Sequence, residues 1–245
     1  MRPVKKGTSP ITGDFSDYKD AKPELVSRLG LYCSYCERKI TTLLAIEHIE
    51  PKKGPYGQPH LEKRWSNFLL ACTNCNSCKG DKPVDLSQML FPDRDNTFYA
   101  YVYEKDGNIA LASHLSVAQK RMAQNTLVLV GLDKRLQVYL DSNDQQVALD
   151  RVAQRMEAFG TAQDSLTCLR SEPNSENLKK CITALARNSG FFSIWMTVFN
   201  NYPEMKLRFI QAFEGTEDSE CFDMVNSTIC CPAPNPDGLS NGGKV

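Results

Sequence analysis

The sequence predicts an α+β protein in which a small strand–strand–helix module, held together by cysteines, precedes a β-hairpin and a mainly helical C-terminal region. Three observations support this fold class. Two Cys-x-x-Cys pairs, which begin at Cys33 and Cys72, enclose two short apolar stretches. An alternating aromatic stretch at 98–103 is followed by Asp-Gly, a frequent hairpin turn. From residue 115 onward, apolar residues recur at helical spacing.

Residues 1–32 are predicted to form an N-terminal arm and one short helix. Residues 1–17 are polar and interrupted by Pro and Gly, which is typical of a loop. Lys5 and Lys6 could contact phosphate groups, although a solvated arm is the preferred interpretation. A helix over residues 23–30 begins with Pro and ends with Gly, as helices commonly do.

The two Cys-x-x-Cys pairs predict a metal site. Each pair places two thiolates on one side of a tight turn, and two pairs complete a tetrahedral site of the kind that binds structural Zn²⁺. The expected ligands are Cys33, Cys36, Cys72 and Cys75. Cys78 is an alternative to Cys75 as the fourth ligand, and a thioredoxin-like redox pair or plain buried cysteines are the interpretations without metal.

Between the two cysteine pairs, the sequence predicts two strands joined by a loop. An apolar strand at 43–46 ends in Glu47 and His48, and residues 68–71 form the returning strand. The connection is rich in Pro and Gly, which favours a loop. Asn74 is a suitable N-cap for a short helix that follows the second strand.

Residues 33–80 resemble the zinc-binding HNH nucleases, which have the ββα-metal fold. The shared pattern is an acid–His pair at Glu47 and His48, a middle Asn at Asn67, and the run Cys-x-x-Cys-Asn-x-x-Lys-Gly that contains Asn76. One departure is Glu47, because Asp is commoner at this position in the family. The resemblance implies a metal-dependent endonuclease.

The resemblance also implies a role for each of these residues. His48 would activate the attacking water, which suits the near-neutral pKa of an imidazole. Glu47 and Asn76 would hold the catalytic cation, Mg²⁺ or alternatively Mn²⁺ or another divalent ion. Asn67 would brace the loop between the strands. Phosphate contacts are expected from three lysines, Lys79, Lys52 and Lys53.

The whole chain is predicted to divide into five segments. They are an arm and short helix at 1–32, the HNH module at 33–82, a loop and β-hairpin at 83–114, a helical partner-docking region at 115–213, and an acidic tail at 214–245. The tail combines acidic residues with Pro and Gly, so the sequence predicts that it is disordered.

Three features of the later segments carry further expectations. The tyrosines of the hairpin could stack bases, although packing on the core is the preferred interpretation; they are Tyr99, Tyr101 and Tyr103. A long helix is predicted from Asp133 to about Phe159, with Leu149 on its apolar side and with an interruption at Asn143-Asp144 as an alternative. The apolar stretch at 191–199 is expected to form the centre of a helical core or a partner surface.

Composition and charge exclude several classes of protein. Of the 245 residues, 24% are charged, and no apolar run approaches the length of a membrane span. The first residues lack a signal-peptide pattern, so a cytoplasmic location without membrane association is expected. The formal net charge is +0, but residues 1–90 are net basic and the remainder is net acidic. The basic half is therefore the expected nucleic-acid face.

The chain as a whole resembles the HNH subunit of the Septu anti-phage systems, including their retron-associated form. The outer motifs that carry this likeness are residues 2–7, Asn125-Thr126-Leu127 and Gly131-Leu132. The resemblance implies an ABC-type ATPase partner with a P-loop, and a retron reverse transcriptase with its msDNA as a further partner. No nucleotide-binding loop is found in this chain, so any ATP dependence is expected to come from another chain.

Together, these observations and resemblances predict a metal-dependent HNH endonuclease that cleaves DNA rather than RNA. The protein is expected to act as the effector of a phage-defence complex. An effector that cleaves RNA, including tRNA, is an alternative. A self-sufficient HNH DNase of the restriction or mobile-element type is a second alternative, and it would require its own recognition module. A non-catalytic zinc-knuckle binding module is the third, and it would not require Glu47, His48 and Asn76 together.

Overall fold

The computed structural model describes residues 1–147 and 150–245. The helices are α1 (Lys22–Leu29), α2 (Thr73–Lys79), α3 (Thr97–Ala100), α4 (Val117–Val130), α5 (Arg151–Ser171), α6 (Glu176–Ser189), α7 (Phe192–Val198) and α8 (Pro203–Ala212). The strands are β1 (Ala45–His48), β2 (Phe68–Ala71), β3 (Tyr101–Tyr103), β4 (Ile109–Leu111), β5 (Tyr139–Leu140) and β6 (Gln146–Val147). This is a mixed α and β architecture, as the sequence predicts.

The first two strands and the helix that follows them hold the site. β1 and β2 are antiparallel, and their register places Glu47 opposite Leu69 and His48 opposite Phe68. All four residues of β2 are buried, so this strand lies inside the core. α2 begins directly after β2 and is capped by Cys72 rather than by Asn74, because the Cys72 sulfur accepts from a backbone N–H of the first turn.

The predicted β-hairpin is confirmed, and its tyrosines face the core. β3 and β4 pair antiparallel on either side of the Asp-Gly turn. The Tyr101 hydroxyl donates to the Ala123 carbonyl (3.0 Å), and the Tyr103 hydroxyl donates to Glu37 (3.1 Å). Tyr99 lies in α3, not in the strand, and packs on His114. The buried rings of Tyr101 and Tyr103 are therefore not available to stack bases.

The prediction of one helix from Asp133 to about Phe159 is wrong. α4 ends at Gly131, and α5 begins only at Arg151, where the Asp150 carboxylate accepts the Ala153 N–H at 2.7 Å. Between them, residues 139–147 form the β5–β6 hairpin, whose turn contains Asp144 at a positive φ of 58°. A helix cannot continue through that left-handed conformation. Leu149 lies outside the described residues.

The helical region encloses a second part of the core. α5 packs against α7, and α6 packs against α8. The stretch 191–199 lies at the centre, because Phe192 and Trp195 are fully buried. It is therefore core and not an exposed partner surface. In the part of the chain that the structure describes, no helix has the length and apolar character needed to cross a membrane.

The tail at 214–245 is folded, so the prediction of disorder is wrong. Its Phe222 and Val245 are buried, and the Val245 carbonyl accepts the backbone N–H of Asn96 (3.2 Å). The Lys244 ammonium lies 3.1 Å from the Asp95 carboxylate. Three acidic residues of the tail are exposed, but its backbone pairs with residues 94–96 and its Phe222 ring packs on Phe98 and Phe192.

The first six residues of the N-terminal arm are largely buried, which corrects the interpretation of this part as solvated or phosphate-binding, whereas most of residues 8–17 are exposed. The Lys6 ammonium is inaccessible and forms an ion pair with Asp93 (2.7 Å). It also donates to the Ser66 and Phe68 carbonyls, both at 2.9 Å. Lys6 therefore fastens the arm to β2, and it has no donor left for a substrate phosphate.

Candidate functional site

Four cysteines meet at the base of the β1–β2 hairpin. The sulfurs of Cys33, Cys36, Cys72 and Cys75 all lie within 4.8 Å of one another, and all four residues are buried. This is the set that the sequence predicts as metal ligands. Cys78 lies outside the cluster, with its sulfur 3.5 Å from the Lys134 ammonium. The geometry therefore groups Cys75, and not Cys78, with the other three.

Two arginines offset the negative charge of this cluster. The Arg151 guanidinium donates to the Cys75 sulfur at 3.1 Å. Burial opposes ionisation of both Arg38 and Arg151, but the neighbouring cysteines outweigh it and raise the pKa of each guanidinium. Four thiolates around one divalent ion carry an excess of negative charge, and these cations fit that arrangement. The donor set therefore fits a thiolate-preferring ion such as Zn²⁺.

Without a cation, the four sulfurs cannot all ionise. Hydrogen bonding from Cys33 lowers the pKa of Cys72, whereas burial raises the pKa of Cys33 well above its usual value. Neighbouring thiols thus share protons instead of releasing them. A divalent ion would replace those protons, because the thiolate is the form that binds metal.

Beside this cluster, a cavity of about 410 Å³ opens between β1, α2 and the loop that follows β1. It is lined by Tyr18, Ile46, Glu47, His48, Pro51, Lys52, Lys53, Asn76, Lys79, Gly80 and Asp81. The structure therefore brings together most of the residues that the sequence singles out. Asn67 is an exception and is not among the lining residues.

Glu47 is a buried acid with one unsatisfied oxygen. It is 1% exposed, and burial raises the pKa of its carboxyl to about 7, although the Lys79 charge opposes this shift. The Lys79 ammonium lies 3.0 Å from Oε1 but does not approach in hydrogen-bonding geometry, and Oε1 has no hydrogen-bond partner among the described residues. A carboxylate that lines a cavity and has an oxygen without a hydrogen bond is a suitable ligand for a hard cation, which would then compete with Lys79 for this oxygen.

Lys79 does not have the accessible position expected of a phosphate contact. It is 2% exposed, and its ammonium donates to the His48 carbonyl (2.7 Å) in addition to its ion pair with Glu47. This burial argues against a substrate-phosphate contact by Lys79, although its side chain lines the cavity. From α2, Lys79 contacts the Glu47 carboxylate and the His48 carbonyl, and it thereby positions these two residues.

The imidazole of His48 is held in one tautomer. Its Nε2 lies 2.8 Å from the Glu62 carbonyl, and a carbonyl can only accept, so Nε2 carries the hydrogen. Nδ1 is consequently the unprotonated nitrogen. Burial lowers the pKa of the ring, which keeps it neutral near pH 7. Edge contacts with Tyr18 and Phe68 fix the plane of the ring.

The remaining predicted residues occupy distinct positions. The Asn67 amide accepts from the Glu50 N–H (2.8 Å) and donates to the Glu50 and Leu61 carbonyls, so it ties together the two ends of the loop. Asn76 is half-buried at the cavity wall. Lys52 lies over the Tyr18 ring at 3.5 Å and 3.1 Å from Glu62, whereas Lys53 is exposed at the rim.

Sequence reasoning missed several residues that build this site. Tyr18 packs on His48 from the N-terminal segment, and Glu62 contributes only a backbone carbonyl. Arg38 and Arg151 lie beside the cysteines. Because these contacts join distant parts of the chain, no local motif signals them. The acid Asp81, which lines the cavity, follows the Lys-Gly end of the motif and could have been noticed there.

Two comparisons with known proteins agree with this geometry. The sequence family described as HNH endonuclease matches residues 33–82. A protein of Vibrio cholerae serotype O1 biovar El Tor, named "Retron Vc95 putative HNH endonuclease", is 31% identical over 140 residues. The aligned region covers 53% of this chain and 68% of that relative.

Proposed function

The chain belongs to the HNH endonuclease family, and from this premise we propose that it hydrolyses phosphodiester bonds of DNA in the cavity formed by Glu47, His48 and Asn76. One observation supports this site above all others. The hydrogen bond from His48 Nε2 to the Glu62 carbonyl leaves Nδ1 as the unprotonated nitrogen, and His48 lines the same cavity as Glu47, whose Oε1 accepts no hydrogen bond among the described residues. A base and a cation ligand are thus adjacent.

In this proposal, His48 Nδ1 accepts a proton from the water that attacks phosphorus. The Glu62 carbonyl and the Tyr18 and Phe68 rings keep the imidazole oriented for that transfer. Asn67 acts at a distance, because its amide bonds hold the loop that carries the Glu62 carbonyl.

We also propose which residues hold metal. Glu47 and Asn76 would bind the catalytic divalent cation, most simply Mg²⁺, with Mn²⁺ as the alternative. When bound, the cation stabilises negative charge that develops on the phosphate oxygens. Lys52 and Lys53 at the rim would attract the substrate backbone. Cys33, Cys36, Cys72 and Cys75 would hold structural Zn²⁺ under a ββα-metal arrangement of β1, β2 and α2.

The test compares two histidines of the same segment. His48→Ala should lower the rate of DNA cleavage by about 10²–10⁴-fold, the usual contribution of a general base. His60→Ala is the matched control, because His60 is exposed and does not line the cavity, so this variant should cleave at the wild-type rate. Cleavage of supercoiled plasmid with Mg²⁺ is measured beside zinc content and circular dichroism.

Wild-type cleavage by His48→Ala would remove His48 as the base. A tRNA and a single-stranded RNA are included as substrates. Cleavage of either RNA without cleavage of plasmid would leave the site chemistry in place and reassign the substrate.

We further propose that the nuclease is the effector of an anti-phage complex with an ABC-type P-loop ATPase, of the Septu type, and with a retron reverse transcriptase and its msDNA. The relative from Vibrio cholerae is named after a retron, which supports this context. The helical region at 115–213 would carry the partner, because Val117 and Val128 on α4 and Leu185 on α6 are exposed.

Co-purification with the products of neighbouring genes tests the complex. Stable recovery of an ATPase with this chain is the expected result. If the chain purifies alone and cleaves DNA at physiological salt, the proposal of an ATPase partner is overturned. The alternative of a self-sufficient DNase is then supported.

A further inference from the structure

A second polar cavity lies across α2 from the candidate active site. It has a volume of about 210 Å³, and we call it the basic pocket. Asn74 and Cys78 of α2 line it, whereas Asn76 lines the candidate active site. Residues four apart share one face of a helix, and the residue midway between them points to the other side. The basic pocket and the candidate active site therefore occupy opposite faces of α2.

The basic pocket is rich in cationic groups. Its walls include Lys134, Arg135, Arg151 and Arg155. In the part of the chain that the structure describes, none of these four forms an ion pair with a carboxylate. Asp150 is the acid among the lining residues, and its two oxygens already accept the Ala153 N–H (2.7 Å) and the Gln137 N–H (2.6 Å). Arg151 already donates to the Val130 and Gly131 carbonyls and to Cys75, and Lys134 lies beside the Cys78 sulfur, but no carboxylate of the described residues neutralises the four cations. The pocket is therefore electropositive.

Arg155 provides the observation that points to a ligand. It is 2% exposed, and its Nε donates to the Gly107 carbonyl at 2.5 Å. Its Nη1 is buried and has no hydrogen-bond partner among the described residues. A buried guanidinium nitrogen without an acceptor is unfavourable, because it loses hydration and gains no bond. An anion in the adjoining cavity would supply the missing acceptor.

The size of the pocket and the arrangement of its donors indicate which anion binds. A volume of about 210 Å³ is below the range typical of pockets for drug-sized molecules, so a small group enters rather than a whole large ligand. A guanidinium presents parallel N–H groups that match the oxygens of a phosphate. The partly exposed ring of Tyr139 forms part of the wall and offers a face on which a nucleobase can stack.

We propose that the basic pocket binds the phosphate group of a nucleotide unit, with Arg155 at its base and Lys134 and Arg135 at its mouth. The phosphate comes either from the backbone of a nucleic acid or from a free nucleotide. Because the pocket lies on the other face of α2, its occupancy does not require the candidate active site to be catalytic. The failure of one proposal therefore leaves the other standing.

The first measurement is a calorimetric titration of the full-length protein with inorganic phosphate. Wild-type protein should bind phosphate saturably. The double variant Lys134→Gln/Arg135→Gln should bind at least about tenfold more weakly, because it loses two charged donors. The matched control is Lys120→Gln/Arg121→Gln, which removes an equivalent Lys-Arg pair from α4 outside the pocket and should bind like wild type.

Arg155→Gln is the second variant and should abolish phosphate binding, with circular dichroism as the check that it folds. If it does not fold, the double variant still decides the outcome. The proposal is overturned if wild type shows no saturable phosphate binding, or if the double variant and the control bind equally well.

Two further probes identify the source of the phosphate. dAMP and a short single-stranded oligonucleotide are titrated into the His48→Ala protein, which prevents cleavage. Much tighter binding of the oligonucleotide, with a salt dependence that weakens by about 0.7 per lost contact in the double variant, assigns the pocket to a nucleic-acid backbone. Equal affinity for dAMP and the oligonucleotide assigns it to a free nucleotide.

Discussion

At the scale of single residues, function depends on which groups are left without a partner. His48 Nε2 is occupied by a backbone carbonyl, so Nδ1 is the nitrogen that can take a proton. Lys79 is occupied by Glu47 and the His48 carbonyl, so it positions the pair and does not reach a substrate. From residue type alone, both His48 and Lys79 would be expected to contact the substrate. Their hydrogen bonds show that the two side chains have different roles.

Lys6 and Asp93 form a buried ion pair that joins the N-terminal arm to the segment before α3. Burial alone would raise the pKa of Asp93, but Lys6 and Arg94 outweigh it and lower the pKa to about 2. The carboxyl is thus more acidic in the folded protein than in the unfolded chain, where about 3.9 is usual. Its contribution to stability is present above that unfolded value and is lost as the pH falls toward about 2.

We therefore expect Asp93→Asn to destabilise the protein at pH 7, by about 3–5 kcal/mol, because Lys6 loses its buried counter-ion. The difference in stability between wild type and variant should shrink by on the order of 2 kcal/mol as the pH is lowered from about 5 to about 2. Urea unfolding across this pH range measures it. The control is Asp164→Asn, an exposed position on α5. A pH-independent difference would show that Asp93 is not the titrating group.

At the scale of elements, the cysteine cluster holds three short pieces that are too small to be stable alone. β1 and β2 have four residues each, and α2 has seven. Isolated hairpins and helices of this length are marginal in water. The cluster joins the turn at Cys33–Cys36 to the start of α2, so a bound ion would fix the angle between the hairpin and the helix.

We expect Cys36→Ser to lose bound zinc and to lower the midpoint of thermal unfolding substantially, because metal binding and folding are coupled. Elemental analysis and a thermal melt with and without a chelator provide readouts that do not depend on nuclease activity. Cys168→Ser is the matched control, since Cys168 is exposed on α5 and lies outside the cluster. If Cys36→Ser melted like wild type with chelator present, the cluster would not be a structural metal site.

At the scale of the whole molecule, the two ends of the chain are built into one core. The Arg2 guanidinium donates to the Thr216 hydroxyl (2.6 Å), and the Lys5 N–H donates to the Gly215 carbonyl (2.8 Å). The Phe222 ring lies 5.5 Å from Phe98 and 5.8 Å from Phe192, measured between ring centroids. The tail therefore links the segment around α3 to the helical region.

This packing contradicts the prediction that the tail is disordered. Phe222→Ala should destabilise the protein by about 3–5 kcal/mol, the usual cost of truncating a buried aromatic side chain. Val225→Ala in the same tail should change stability by less than about 0.5 kcal/mol, because Val225 is 88% exposed. Denaturant unfolding of the two variants is the measurement. If both variants were as stable as wild type, the result would support the prediction that the tail is disordered.

The amino-acid sequence alone determined the module that carries the chemistry. Cysteine spacing predicted the four grouped sulfurs, and the Glu47-His48 pair with Asn76 predicted three residues that line one cavity. The meeting of the two distant cysteine pairs follows from the four ligands of a tetrahedral metal site, and the grouping of Glu47-His48 with Asn76 follows from the resemblance to HNH nucleases. Within each Cys-x-x-Cys pair, local geometry controls the direction of the side chains. The Asp-Gly turn of the β3–β4 hairpin was predictable for the same reason.

Only the tertiary structure decided which charges are exposed and which segments are folded. The sequence predicts an accessible Lys79 and a solvated arm that contains Lys6, yet both lysines are buried by contacts with distant parts of the chain, as is Arg155. The tail is acidic and poor in apolar residues, but its few buried side chains and backbone groups meet partners at 91–97 and near α7. The burial and pairing of a side chain depend on contacts with residues far away in the sequence. Composition and local periodicity carry no information about those contacts.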